Sequence, residues 1–320
     1  MQELRAWSGP PPRRRRAARG GPSHHLSARA VRSCLACGPA ALLGGCSGVL
    51  DPEGPIGASE RLILLDSLAI MLAIALPVMI ATLAFAWWYR ANNTRARYRP
   101  DWDYSGRIEL VVWSIPTLVI MFLGGLAWIS SHDLDPARPI PGAVKPLNVQ
   151  VVSLDWKWLF LYPDQGVASV NQLVMPAGQP VRFSLTSGSV MTAFFVPSLG
   201  SMIYTMNGMV TPLNLQADQP GRYLGFATQI SGDGFSNMHF AALALPPTAF
   251  AGWVQGARAA PRGLDDAAYL ALSRQGVAPV SLYRLADPAL FRKIVFRELP
   301  PGPGPQTSAP RLTGLPLPPT

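Results

Sequence analysis

The stretch Asn148–Phe160, NVQVVSLDWKWLF, is crowded with β-branched and aromatic residues that fit a pleated, packed surface better than a helix. Similar short, turn-bounded runs follow it: Ala168 to Met175, Pro180 to Thr186, Thr211 to Ala217, Arg222 to Thr228 and Met238 to Leu245. Pro220-Gly221 and Gly232-Asp233-Gly234 break them in the manner of turns. Strands at this spacing predict an all-β Greek-key sandwich over residues 147–247 and argue against an α/β fold. Residues 248–298 change to helical texture (AAYLALSRQG, DPALFRKIVFREL) and predict a short helical C-terminal segment. The Pro-rich tail, 299–320, is expected to lack order.

Upstream of the sandwich the texture is quite different. Ser67 to Tyr89 runs for 23 residues without a charge and ends in Trp87-Trp88-Tyr89. At 1.5 Å per residue this is roughly 35 Å, enough for a hydrocarbon core of about 30 Å. Pro77 lies mid-run, which membrane helices tolerate. Leu110 to Ser131 is a second uncharged run of 22 residues, with Trp113 and Trp128 near its ends. The two predict an antiparallel hairpin of transmembrane helices, 67–89 and 108–131. The linker 90–107 carries arginines at 90, 95, 97, 99 and 107 against Asp101 and Asp103, which marks it as cytoplasmic. Segment 46–66 and the sandwich are then expected on the far side of the membrane from the cytoplasm.

Composition agrees: only 14% of the 320 residues are charged, against about a quarter in soluble domains. Of the formal +9 charge, most sits in residues 1–45, which hold eight arginines and one acid. Residues 46–320 have 19 Lys+Arg against 17 Asp+Glu, so a basic nucleic-acid face is excluded. The arginine-rich opening, the apolar Ala40-Ala41-Leu42-Leu43 and the small residues before Cys46 describe a signal peptide over 1–45. Leu43-Gly44-Gly45-Cys46 has the form of a lipobox, predicting lipidation of Cys46; a chance Gly-Gly-Cys in a Gly-rich leader is the alternative. The three cysteines, Cys34, Cys37 and Cys46, all precede the body, so no disulfide framework holds it.

Two spans followed by an outside sandwich that opens with Asp155-Trp156-Lys157-Trp158-Leu159-Phe160-Leu161-Tyr162-Pro163 resemble subunit II of the haem-copper terminal oxidases. The likeness extends through Ser189-Val190-Met191, Phe194-Phe195-Val196-Pro197, Leu199-Gly200 and Gly232-Asp233-Gly234-Phe235-Ser236. It covers about residues 46–298 and is nearest to the quinol-oxidase branch, subunit II of the cytochrome bo-type ubiquinol oxidases. The resemblance implies a cupredoxin-like sandwich and, as partners, a catalytic haem-copper subunit I, further oxidase subunits and membrane lipid. It implies haem and copper in that partner, and ubiquinol as substrate of the complex.

In the cytochrome c oxidases of this family the sandwich holds a dinuclear copper centre. Its ligands are one His before the Phe-x-Val-Pro stretch and a Cys-x-Glu-x-Cys-x-x-x-His-x-x-Met run. Laid over that pattern, the positions here read Thr192, Ile230, Gly232, Gly234, Met238 and Ala241. Copper of this kind needs thiolate and imidazole, so no cofactor is expected in this chain and no catalytic centre. His239, one position past the lost His, and His132, beyond the second span, are expected to be ordinary strand and interfacial histidines. Glu109, in Glu-x-x-x-Trp-x-x-Pro, matches the family carboxylate at the mouth of a proton-uptake channel of subunit I; a helix-start acid opposing the dipole is the alternative. The function implied is that of a non-redox subunit of a proton-translocating quinol oxidase. A second class is a free-standing periplasmic copper-binding lipoprotein using Met191, Met202, Met206, Met209 and Met238.

Overall fold

The computed structural model describes residues 47–302 apart from Tyr98 and Ala143. The expected signal peptide, Cys46 and most of the Pro-rich tail lie outside the described residues. After a single turn at Ser47–Leu50, helix α1 (Pro55–Trp88) begins well ahead of the uncharged run. Pro55 starts it, where the missing N–H is one that no helical carbonyl would receive. Helix α2 (Gly106–Asp133) follows the linker. At 34 and 28 residues the two helices measure about 51 and 42 Å. Both are long and apolar enough to cross a membrane, and their most apolar windows have no buried share. Pro77 and Pro116 lie inside them.

The sandwich contains two sheets. The larger has the order β11-β12-β3-β2-β1-β5-β8, and the smaller β4-β10-β9-β6-β7. Their strands are β1 Leu147–Leu154, β2 Lys157–Tyr162, β3 Val167–Val170, β4 Gln172–Pro176, β5 Val181–Ser187 and β6 Thr192–Val196. Next come β7 Gly200–Thr205, β8 Thr211–Leu215, β9 Gly221–Ala227, β10 His239–Leu245, β11 Gly263–Leu264 and β12 Ser281–Leu285. Helices α3 (Pro247–Arg258), α4 (Asp266–Leu272) and α5 (Leu290–Val295) complete the described chain.

The aromatic stretch is apolar at nearly every position because β2 is buried on both faces. Trp158, Phe160 and Tyr162 point between the sheets, where Trp158 and Phe160 meet Phe194 and Phe240 at ring separations of 5.1–6.5 Å. Leu159 and Leu161 point the other way and pack with Tyr269, Leu290, Phe291 and Ile294 of the C-terminal segment. Alternation of side chains along a strand separates the two sets. Burying five such side chains at about 1.5–3 kcal/mol each makes β2 a principal stabiliser of the domain.

Three features differ from the sequence expectation. Asn148–Phe160 is not continuous: it folds back at Asp155-Trp156, pairing Leu154 with Lys157. Ala168–Met175 divides at Asn171, whose φ of 55° sends β3 into one sheet and β4 into the other. Asn tolerates this left-handed conformation better than branched residues do. Its amide also serves both sides, accepting from Trp158 N at 2.8 Å and donating to Ala278 O at 2.7 Å. The C-terminal segment, expected to be helical, also supplies β12, which pairs antiparallel with β3.

Candidate functional site

Of the positions aligned above with copper ligands, Gly232 and Gly234 lie in a loop packed against the Trp156 indole, and the others are dispersed around it. Thr192 opens β6, is buried, and donates its hydroxyl to Gln229 O at 3.2 Å. Behind it, Thr205 donates to Thr192 O at 3.3 Å and shares a 2.7 Å hydroxyl pair with Ser153. Across the loop, Trp156 Nε1 donates to Ser231 O at 3.4 Å. Gly232 has a φ of +119°, a conformation open to glycine, and its Cα faces the Trp156 ring. Gly234 lies so close that a Cβ there would overlap the same indole. Of the remaining positions, Ile230 is 75% exposed, Met238 is in the core, and Ala241 lies on β10.

These residues do not fit a dinuclear copper centre. Thr, Ile, Gly and Ala offer no soft donor, and the one thioether, Met238, is packed in the core cluster with Ser231 Oγ at 3.9 Å from its sulfur. His239 is exposed at the start of β10. Among the described residues no group of three or more His, Cys, Asp and Glu is arranged to hold a metal ion. The methionines invoked for an alternative copper site are in unlike surroundings. Met191, Met202 and Met209 are exposed, Met238 is buried, and Met202 Sδ accepts from Thr228 Oγ1 at 2.7 Å.

Glu109 occupies the first turn of α2 and is exposed, three residues after Gly106 begins the helix. Its N–H completes that turn by donating to Ser105 O at 3.0 Å. Ser105 gives the helix no side-chain cap, so the first-turn carboxylate is the group that faces the positive end of the dipole. At the opposite end of α2, His132 Nδ1 lies 2.8 Å from Trp128 O, with its ring 4.5 Å from the indole. That is a histidine engaged with its own helix.

Residues 165–244 match the family model described as cytochrome c oxidase subunit II, periplasmic domain. Over 270 residues the chain is 46% identical to the cytochrome bo(3) ubiquinol oxidase subunit 2 of Pseudomonas aeruginosa, covering 84% of this chain and 82% of that one. The chain belongs to the ubiquinol oxidase subunit 2 family. The ubiquinol oxidase subunit 2 of Acetobacter aceti is 45% identical over 261 residues, 81% of this chain and 85% of that one. The quinol oxidase subunit 2 of Bacillus cereus is 34% identical over 239 residues, 73% and 82% of the two chains. Membership in this family fits the oxidase-subunit reading and not that of a free-standing methionine-rich lipoprotein.

Two contacts of this family member were invisible in its sequence. One is the Trp156 indole under the glycine loop, which brings together residues 75 positions apart. The other is a junction between α1 and the sandwich. Glu53 N donates to Ser198 O at 2.7 Å, Gly57 N to Leu199 O at 3.2 Å, and Asp218 N to Glu53 O at 2.8 Å. Ser201 Oγ donates to the Glu60 carboxylate. No local motif announces either contact, although the clustered glycines at 54, 57, 232 and 234 mark places where backbone is approached closely.

Proposed function

We propose that the chain is the non-redox subunit of a bacterial inner-membrane oxidase whose catalytic haem-copper subunit oxidises ubiquinol, reduces dioxygen to water and translocates protons. In this reading residues 67–89 and 108–131 span the membrane, 46–66 and the sandwich lie in the periplasm, and 90–107 is cytoplasmic. Lipidated Cys46 begins the mature chain, after removal of the signal peptide. The observation that carries the reading is a sandwich with no thiolate or imidazole at the positions aligned with copper ligands, its 231–234 loop packed on Trp156, in a chain of the ubiquinol oxidase subunit 2 family. Without thiolate or imidazole at those positions the sandwich lacks the ligands that a copper electron acceptor needs. Quinol delivers them from within the bilayer instead, and the domain serves as a cap that positions the hairpin. Glu109 collects protons at the cytoplasmic surface and passes them to a water path of the catalytic subunit. An exposed carboxylate at a membrane boundary exchanges protons readily with both water and a relay.

The test is to purify the assembly from its native membrane through a tag on this chain, record its haem spectrum, and measure quinol-driven oxygen uptake. The expected result is a co-purifying haem protein with quinol oxidase activity that does not oxidise reduced cytochrome c. Recovery of this chain alone, without haem protein, would refute the proposal.

A further inference from the structure

We infer that the linker between the two helices is a binding surface for the phosphodiester headgroups of acidic phospholipids. Five arginines at 90, 95, 97, 99 and 107 lie in 18 residues, opposed by Asp101 and Asp103, with no lysine among them. Outside this linker, residues 46–320 hold 14 basic and 15 acidic side chains, so the positive excess of that whole stretch resides in the linker. All five arginines are exposed, and none takes part in the ion pairs found among the described residues. The guanidinium group matches two phosphate oxygens at once, a recognition that lysine does not reproduce.

The aromatic residues set the depth. Trp87, Trp88 and Tyr89 at the end of α1, and Trp102 and Tyr104 just before α2, are all exposed. Rings of this kind settle at the headgroup level of a bilayer. Arg90, Arg95, Arg97 and Arg99 lie between these two aromatic groups in sequence, with Arg107 three residues past Tyr104, so all five fall within reach of the phosphate plane. Local contacts fix the start of the linker. Asn93 Nδ2 donates to Trp88 O at 2.5 Å, closing the helix end, and its Oδ1 accepts from Arg95 N at 3.1 Å. Arg90 stacks over Trp87 with 5.2 Å between its guanidinium carbon and the ring centroid. Charge complementarity selects anionic over zwitterionic lipid: juxtamembrane basic residues gain most at a negatively charged surface. The inference rests on the helix hairpin and not on the proposed proton uptake.

The test uses the intact assembly in neutral detergent, titrated with phosphatidylglycerol or with phosphatidylcholine, with bound lipid counted by native mass spectrometry. The variant carries Arg95→Gln, Arg97→Gln and Arg99→Gln together, leaving Arg90 and Arg107 to hold the topology. At low salt, phosphatidylglycerol affinity should fall about fivefold for each arginine removed, and added salt should narrow the difference. Phosphatidylcholine binding should not change. Lysine at the same three positions should restore part of the preference. A control with Arg222→Gln, Arg262→Gln and Arg274→Gln, all exposed on the sandwich domain, should bind as the parent does. Equal binding of the two lipids by the parent would overturn the inference. So would an undiminished phosphatidylglycerol preference in the linker variant, including the case in which that variant instead loses its partner subunit.

Discussion

Glu109 and Trp156 show how differently two side chains of one molecule are tied to its function. Glu109 is exposed in the first turn of α2, so its replacement tests chemistry more than architecture. Glu109→Gln is expected to slow quinol-driven turnover while leaving haem content and subunit stoichiometry intact, as read by oxygen uptake on the purified assembly. Direct relay groups contribute about 10²–10⁴-fold; a group at a channel mouth should contribute less, because water substitutes in part, and Glu109→Asp should retain more activity than Gln. If Glu109 only balances the dipole, turnover stays normal and the loss is about 0.3–1 kcal/mol of stability. Trp156 works through packing. Half-buried beneath Gly232 and Gly234, it should cost less on truncation to Ala than the ~3–5 kcal/mol of a fully buried Trp. Gly234→Ala should displace the loop because a Cβ there meets the indole. Thermal unfolding of the detergent-solubilised chain measures both; a Gly234→Ala midpoint equal to the parent's would show that the loop yields freely. The residue types at the positions aligned with copper ligands were legible directly, since they need only the sequence. The loop contact was not, because Trp156 and Ser231 meet only once β2 and β10 are folded together.

At the scale of elements, two kinds of joint hold the molecule together. The first fastens α1 to the sandwich through the bonds of Glu53, Gly57 and Glu60, with Gly54 buried against Gln216 O. Gly54 has an extended backbone that any residue adopts, so the constraint there is space. Gly54→Val is therefore expected to lever the helix start off β7 and β8 and to expose the 51–54 turn and the 134–146 connector to protease. Limited proteolysis of the variant beside its parent decides it, and identical cleavage patterns would mean that the joint tolerates the side chain. The second fastens the C-terminal segment. Lys157 Nζ donates to Leu272 O at 2.9 Å and Arg274 O at 2.6 Å, while burial holds its amine below the usual lysine range. The two long apolar helices were readable from the sequence because an uncharged run of that length has few other uses. Strands β6 and β7 were missed: β6 is short, its register with β7 shifts between Phe194 and Val196, and Thr192–Val196 carries too few residues to display a period. β12 was read with a helical segment because its burial comes from pairing with β3, far away in sequence.

For the whole molecule, burial and the missing donors each make a prediction. Tyr162 and Tyr269 are buried phenols, and desolvation raises both above the ordinary value of 10.0. Tyr162 also exchanges hydrogen bonds with Val174 through its hydroxyl, donating at 2.9 Å and accepting at 2.8 Å. Unfolded, these phenols ionise near 10.0; folded, they hold their protons. Their contribution is thus complete below pH 10.0 and is lost as pH rises above it. Base titration followed by phenolate absorbance should show a late class of tyrosines whose ionisation coincides with loss of the β signal. Ionisation of every tyrosine before unfolding would contradict their burial. The copper prediction concerns the sandwich as a device. A cupredoxin-like frame passes electrons only if its loops hold thiolate and imidazole in fixed positions. Here every such position is hydroxyl, hydrocarbon or glycine, apart from the core-packed Met238, and no cysteine follows Cys46. The loop is held instead by the hydrogen bonds of Thr192 and Trp156 and by packing against the indole. The purified chain, equilibrated with excess Cu(II) and a reductant and then dialysed, is expected to retain no stoichiometric copper and no thiolate-type visible absorption. Metal analysis and an optical spectrum read both. Removing metal with a chelator should leave the unfolding midpoint of the domain unchanged, since packing rather than coordination closes the loop. Two coppers per chain with an intense visible band would mean that the frame finds donors elsewhere, and the sandwich would then be an electron carrier after all.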